Sequence, residues 1–277
     1  MTDGEAATAF APGHVTGFFS VARRDDPART GSRGAGVTLS AGVTVRVAPA
    51  SETEVGLNGK RIDVESVTRV LDALDATAAV RAETALPLGA GFGVSGAMAL
   101  AAAFAANEAF GRERSENELV ELAHVAEVQA GTGLGDVVAQ ARGGVPIRVK
   151  PGAPGWGALD GVPARGRVEY VSFGGLSTSE VIGGDTEQLS AAGERALERL
   201  RERPTLPEFF AASRAFSREA GLLDGDVEAA VEAVRAAGGE AAMAMLGRTV
   251  FALGTGLSDA GYDAEACEVH AAGATLK

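Results

Sequence analysis

A glycine-rich segment between a predicted strand and a predicted helix is the feature that most constrains the fold of this chain. The segment runs from Pro87 to Ala97 and holds four glycines within eight residues. A predicted strand, Val80 to Leu86, precedes it, and a predicted alanine-rich helix, Ala97 to Phe110, follows it. This order directs backbone N–H groups and the positive end of a helix to one place, which favours a phosphate. A tight strand-to-helix connection that binds no ligand is the alternative.

Three known glycine motifs compete for this segment. The GxxxxGK[ST] sequence of Walker-type NTPases does not occur. Residues 91–96 satisfy the dinucleotide fingerprint, but the region 20 positions on, Glu113 to Glu121, has the pattern of a helix start and not of a strand with an acidic end. Ser95 resembles a hydrolase nucleophile elbow, with Asp263 and His270 downstream, but the second glycine of the elbow is missing. The segment therefore favours a phosphate-binding loop of another type.

The remaining pattern predicts an α+β fold. Alternating apolar residues predict a half-buried strand over Val37 to Val47, and Asn58-Gly59 predicts a hairpin turn. Asp63 is a candidate cap for one helix, and Ser115 with Glu118 forms a capping box for a helix that runs to about residue 130.

The segment 151–161 has the composition of a linker. We therefore expect an N-terminal domain over residues 1–150 and a C-terminal α+β domain over residues 151–277. Further strands are predicted at 15–22, 145–150, 168–173 and 249–253.

A second group of polar residues follows the glycine-rich segment. His124 and Glu127 share a helix face, and Asp136 follows the glycine-rich turn 131–135. Phosphoryl transfer to an alcohol needs a metal between the phosphates and a carboxylate to orient or deprotonate the hydroxyl. Ser95 and Glu127 offer the hard oxygen ligands that Mg²⁺ takes, which leaves Asp136 as the base. Taken singly, each residue also fits a structural role: a solvated glutamate, a helix-capping aspartate and a half-buried histidine. Together with the glycine loop they favour a kinase.

Composition excludes several classes of protein. The net charge of −12 argues against a nucleic-acid binder, and no apolar run reaches the roughly 20 residues of a membrane span. The single cysteine, Cys267, excludes an intrachain disulfide and a cysteine-based metal site. The start of the sequence lacks the pattern of a signal peptide, so we expect a cytoplasmic protein. Only three of the 25 basic residues are lysines, which is typical of a halophilic proteome or of a GC-rich genome.

Three segments resemble the GHMP kinase superfamily. The loop from Pro87 to Ala97 is similar to its ATP motif, although Phe92, Val94 and Gly96 depart from the usual Leu, Ser and Ser. Residues 11–19 resemble its first motif, with His14 where many members carry Arg or Lys. Residues 244–252 stand in place of its third motif, but they depart from the glycine-rich loop that most of the superfamily has there. Together with segments 31–36, 132–136 and 245–251, the pattern resembles that of the archaeal pantoate kinases. The loop positions that the ATP motif assigns to the nucleotide are Pro87, Gly89, Ala90, Gly91, Phe92, Gly93, Val94, Ser95, Gly96 and Ala97.

The resemblance implies a fold and an activity. The fold is a ribosomal-protein-S5-domain-2-like N-terminal domain followed by a ferredoxin-like C-terminal domain. The activity is phosphorylation of the 4-hydroxyl of pantoate by ATP and Mg²⁺, towards coenzyme A, by a homodimer. Another GHMP kinase, acting on shikimate, homoserine or a mevalonate-type alcohol, and a non-catalytic metabolite sensor are the alternatives. The resemblance implies that Ser95 and Glu127 bind Mg²⁺–ATP and that Asp136 is the catalytic carboxylate. It also implies that Arg148 lies near the transferred phosphate. The residues expected near pantoate are His14, Ser32, Arg33 and His124.

Overall fold

Two β-sheets organise the fold. The structure, a computed structural model, describes residues 5–175 and 186–277. The larger sheet has the order β12-β1-β2-β5-β3-β4, and β6 pairs with both β2 and β7. Its strands are β1 (Ala7–Ala22), β2 (Gly31–Pro49), β3 (Glu54–Leu57), β4 (Lys60–Arg61), β5 (Ala78–Glu83), β6 (Val145–Lys150), β7 (Ala158–Val162) and β12 (Thr275–Leu276).

The antiparallel pair β1–β2 is the longest strand pair of this sheet. Its register runs from Ala7 opposite Val47 to Ala22 opposite Gly31, with irregularities after Pro12 and after Thr16. At the far end β6 pairs with β2. The predicted strands and the Asn58-Gly59 hairpin are confirmed, although β1 and β2 are longer than the apolar alternation indicated. The segment expected to be a linker contains most of β7, which pairs with β6.

Two helices, α2 (Val94–Ala109) and α4 (Asp136–Arg142), pack on the larger sheet, and two more, α1 (Glu65–Ala73) and α3 (Glu116–Ala130), pack on α2. Helix α2 is buried almost throughout, because its many alanines allow close contact with β1, β2, α1 and α3 at once. The capping box of Ser115 and Glu118 is confirmed at the start of α3. The predicted cap at Asp63 is wrong. Val64 takes the N-cap position in an extended conformation without a side-chain hydrogen bond, so Asp63 lies one residue too early.

The smaller sheet has the order β11-β8-β10-β9. The Phe209 ring contacts Phe18 of β1 on one side and Phe210 and Phe251 on the other, so aromatic packing joins the two sheets in one core. The described residues include no helix long and apolar enough to cross a membrane. The elements of this part are β8 (Arg167–Gly175), α5 (Glu187–Glu202), α6 (Leu206–Glu219), α7 (Gly225–Ala236), β9 (Ala241–Ala244), β10 (Gly247–Leu253), α8 (Gly256–Asp259) and β11 (Glu265–Glu268).

Candidate active site

Asp136 and His14 form a hydrogen-bonded pair at the centre of the site. Asp136 is the first residue of α4, and its Oδ1 lies 2.7 Å from Nδ1 of His14 on β1. Burial lowers the pKa of His14, so the ring is neutral and its Nδ1–H donates to the carboxylate. Burial alone would raise the pKa of Asp136, but the His14 bond and the charge of Arg148 bring it below its ordinary value. Asp136 is therefore held ionised, with a side chain that is 26% exposed.

Ser95 and Glu127 lie together beside this pair. Ser95 is in the first turn of α2, and its hydroxyl donates to Oε2 of Glu127 at 3.1 Å. Burial raises the pKa of Glu127 to about 7, although the nearby hydroxyls of Ser66, Thr132 and Ser95 oppose the rise, and none of the described residues makes a hydrogen bond of good geometry with its Oε1. A Cβ on Gly133 would stand 2.6 Å from Oε2, so only a glycine lets the turn approach this carboxylate. Since Ser95 contacts a carboxylate and not a histidine, the hydrolase interpretation is wrong.

Arg148 forms the third part of the site. It lies on β6 and is almost fully buried, and its Nε donates to the Ser32 hydroxyl at 3.2 Å. Its Nη1 is buried without a partner in the part of the chain that the structure describes. A Cβ on Gly135 would collide with both Ser32 Oγ, at 2.5 Å, and Arg148 Nε, at 2.7 Å. Arg148 thus borders the cleft with an unused donor.

The cleft, of about 30 Å³, is lined by Thr16, Phe19, Ser32, Gly133, Leu134, Gly135, Asp136, Arg148 and Leu246.

The glycine loop lies directly against α4. Gly93 is the N-cap of α2 in a left-handed conformation (φ 60°), and no side chain caps the N–H groups of the helix. A Cβ on Gly93 would lie 3.2 Å from Asp136 Oδ1. The main chain of the loop is fixed by the His14 amide, which donates to the Phe92 carbonyl at 3.0 Å, and by the Thr249 hydroxyl, which donates to the Ala90 carbonyl at 2.9 Å. The free helix N–H groups and the Asp136 carboxylate are therefore held next to each other.

Comparison with known proteins identifies the family. The family model for the GHMP kinases N terminal domain matches residues 61–144. A pantoate kinase of Thermococcus kodakarensis is 37% identical over 261 residues, which is 88% of this chain and 86% of the relative. The chain belongs to the pantoate kinase family. A second family member, from Methanocaldococcus jannaschii, is 34% identical over 251 residues, with 88% of this chain and 91% of the relative covered.

A solved structure extends the likeness to the fold. It is described as a phosphotransferase related to the CoA biosynthesis pathway, is 29% identical, covers 99% of each chain and superimposes with a TM-score of 0.87. The mixed α/β architecture is thus the two-domain GHMP kinase fold of the pantoate kinase family, as predicted from the glycine loop and the flanking motifs. The division of the chain at residue 150 stays a prediction.

The structure brings most of the residues predicted for a pantoate kinase site together, but not all. Ser32 and Arg33 are neighbours on β2 and point to opposite faces of the sheet. Ser32 faces Arg148, whereas Arg33 pairs with Glu194 of α5 and donates from Nε to the Val149 carbonyl at 2.9 Å. Arg33 therefore lies outside the cleft.

His124 shares a buried face of α3 with Glu127, as the spacing predicted. Its Nε2 donates to the Thr30 carbonyl at 2.8 Å, and burial lowers its pKa. This bond holds the start of β2, the strand that carries Ser32. The imidazole itself is not among the residues that line the cleft. His124 thus helps to position Ser32 without lining the cleft itself.

One buried residue of the site was not predicted from the sequence. Gln140 lies one helical turn after Asp136, and its side-chain amide donates to the Gly93 carbonyl at 2.8 Å. The bond fixes the distance between the glycine loop and α4. A polar residue four positions after Asp136, on an otherwise apolar helix face, was the available signal.

Proposed function

We propose that this protein transfers the γ-phosphoryl group of ATP to the 4-hydroxyl of pantoate, a step towards coenzyme A. The proposal rests on one observation above the others. An ionised, partly exposed carboxylate, Asp136, lies where three groups meet: the free N-terminus of α2, the Ser95–Glu127 pair and the Arg148–Ser32 pair. Membership of the pantoate kinase family supports the choice of substrate.

The glycine loop suits the phosphates of ATP. The uncapped N–H groups at the start of α2 are donors that a phosphate can accept, and the helix dipole favours the same charge. Gly93 and the residues after it lie next to Asp136, so a phosphate bound there is within reach of the carboxylate. The loop positions from Pro87 to Ala97 are therefore assigned to the nucleotide.

Ser95 and Glu127 suit Mg²⁺. A buried glutamate whose pKa is raised to about 7, with one oxygen unpartnered among the described residues, is destabilised unless a cation approaches it. The adjacent Ser95 hydroxyl supplies a second hard oxygen. Mg²⁺ commonly binds proteins through one or two carboxylates plus substrate phosphates, so a site this small is sufficient. When bound, the metal neutralises charge on the β- and γ-phosphates.

Asp136 orients the attacking hydroxyl and accepts its proton. Its lowered pKa keeps it ionised at neutral pH, and the His14 Nδ1–H bond fixes the orientation of the carboxylate. Because the neutral ring carries its proton on Nδ1, Nε2 of His14 has none to give, and it is buried with no partner among the described residues. His14 is accordingly assigned to holding Asp136 rather than to pantoate.

Arg148 and Ser32 supply the contacts to the acid. Arg148 keeps a buried donor free on the cleft, and the Ser32 hydroxyl lies beside it. A guanidinium fork matches the planar geometry of a carboxylate or the oxygens of a phosphoryl group. These two residues therefore bind the negative charge of pantoate or of the transferred group. The positive charge of Arg148 also makes the cleft locally attractive to anions in a chain whose net charge is −12.

A panel of alcohols tests the proposal. Purified protein is incubated with ATP, Mg²⁺ and high KCl, and ADP formation is followed with pantoate, shikimate, homoserine and mevalonate in turn. We expect turnover with pantoate that disappears when Mg²⁺ is removed. Turnover with another alcohol but not with pantoate would keep the kinase and reject the substrate. Nucleotide binding without turnover of any alcohol would reject the enzyme and favour a metabolite sensor.

A further inference from the structure

The hairpin loop between β9 and β10 holds a leucine in a backbone conformation that leucine rarely adopts. Leu246 has φ 68°, in the left-handed region that disfavours side chains with a Cβ. The other non-glycine residues with positive φ in the described part of the chain are Asn58, Asp75 and Glu113, which are polar and exposed. Leu246 is apolar and half-buried. The local turn therefore does not explain why a leucine stands here.

Contacts on both sides hold Leu246 in this conformation. The Met245 amide donates to the Thr16 carbonyl of β1 at 2.8 Å. Gly247 packs so tightly on the glycine loop that a Cβ would stand 2.2 Å from the Ala90 carbonyl oxygen. Arg248 forms ion pairs with Asp224 and Asp226. Because its neighbours are fixed, the backbone at Leu246 cannot relax, and strain of this kind is concentrated at functional sites.

The Leu246 side chain lines the cleft that holds Asp136. The lining of the cleft includes three polar or charged residues, Asp136, Arg148 and Ser32, and three apolar ones, Leu246, Phe19 and Leu134. The smaller sheet thus contributes a single apolar side chain to a cleft whose other lining residues belong to the larger-sheet part of the chain.

We propose that Leu246 determines specificity by recognising the branched carbon of the acid. The inference rests on the proposed function. Pantoate carries two methyl groups on the carbon between its polar carboxylate end and the hydroxymethyl group that receives phosphate. With the two polar ends on Arg148 and Asp136, the methyl groups are left to contact the apolar residues of the lining. An apolar lining buries apolar groups favourably and gives no partner to a polar substituent.

The test compares pantoate with 2,4-dihydroxybutanoate, which has the same polar groups and no methyl branches. kcat/KM is measured for both acids in the wild type, in Leu246→Ala and in Leu246→Gly. We expect the wild type to prefer pantoate by about 10–200-fold, the usual discrimination of an apolar pocket for small alkyl groups. Both variants should lower that ratio about tenfold by losing activity on pantoate alone. Leu159→Ala removes a leucine that is exposed on β7 and should keep the wild-type ratio.

A melting experiment on the same two variants tests the strain. Both lose the side chain, but only glycine accepts φ 68° without cost. Leu246→Gly should therefore melt about 2–4 °C above Leu246→Ala. Equal melting temperatures would contradict the strain, and a wild-type substrate ratio in both variants would overturn the role in specificity. Failure of the wild type to use either acid would contradict the proposed function itself, which is a different result from an unchanged ratio.

Discussion

On one face of β2, Ser32 contacts the buried Arg148, and on the other face, Arg33 pairs with Glu194 near the surface. Both side chains carry a guanidinium group, but they differ in how many of its nitrogens have a hydrogen-bond partner. Arg33 finds a carboxylate and a backbone carbonyl, whereas Arg148 keeps one nitrogen buried and unpartnered within the described part of the chain. Other unpartnered buried atoms also lie around the cleft: His14 Nε2, Glu127 Oε1 and Gln140 Oε1.

This difference in pairing separates structural charges from functional ones in an acidic protein. Surface arginines are surrounded by an excess of carboxylates and are readily neutralised by them, with little effect on stability. A buried polar group without a protein partner costs stability, so its retention next to a cleft is consistent with a ligand, an ion or a water that completes it. This criterion supports the proposed roles of Arg148 and Glu127, and it favours a structural role for Arg33.

The largest expected effect concerns the base. Asp136→Asn keeps the shape of the side chain and removes the negative charge that we propose as acceptor of the hydroxyl proton. kcat should fall by about 10²–10⁴-fold, with ATP affinity nearly unchanged, because Asp136 is not assigned to the nucleotide. Steady-state kinetics and nucleotide titration measure the two quantities. A variant at near wild-type rate would remove Asp136 from the mechanism.

The comparison of the two arginines gives the next effect. Arg148→Gln should lower kcat/KM for pantoate about 10–150-fold, the range for loss of a charge-assisted hydrogen bond. Arg33→Gln should change it less than about threefold, because it removes a half-exposed ion pair outside the cleft. Circular dichroism of both variants confirms that each is folded. A large loss in Arg33→Gln with little loss in Arg148→Gln would reverse the assignment.

The metal dependence should respond to Glu127. Glu127→Gln removes the anionic oxygen next to Ser95, and the Mg²⁺ concentration for half-maximal rate should rise at least about tenfold. Glu194→Gln is a matched control, since it removes a carboxylate outside the cleft. An unaltered Mg²⁺ titration in Glu127→Gln would exclude this residue as a ligand.

The smallest effect is on stability without ligands. The pKa of Glu127 is raised by burial from 4.5 to about 7, so the folded protein keeps a proton here that the unfolded chain releases. This glutamate therefore costs stability as the pH rises from about 4.5 to about 7, by on the order of 3 kcal/mol in total. Glu127→Gln should show a matching gain over the wild type across that window in denaturant unfolding without Mg²⁺. A pH-independent difference between the two proteins would contradict the raised pKa.

Features that depend on neighbouring residues could be predicted from the sequence. The Asn58-Gly59 hairpin, the capping box at Ser115 and the strand-loop-helix order around Pro87 to Ala97 are all local. The grouping of Ser95 and Glu127 followed from the requirements of phosphoryl transfer and from the family pattern, and the structure brings them into contact.

Features that depend on distant pairing could not be predicted in the same way. Strand periodicity places Ser32 and Arg33 on opposite faces, but only the pairing of β6 with β2 decides which face meets the cleft. His14 and Asp136 are 122 positions apart, so no local pattern reveals their bond. The left-handed backbone at Leu246 opposes the preference of leucine and is imposed by tertiary contacts.

Proton-coupled ³¹P NMR of the product formed from ATP and pantoate tests the central claim most directly. Phosphate attached at C4 is next to a CH₂ group, so its resonance splits into a triplet, whereas phosphate attached at C2 is next to a single CH and gives a doublet. We predict a triplet that appears with the wild type and Mg²⁺ and is strongly reduced with Asp136→Asn. A doublet, or inorganic phosphate as the only new resonance besides those of ADP, would contradict the proposed reaction.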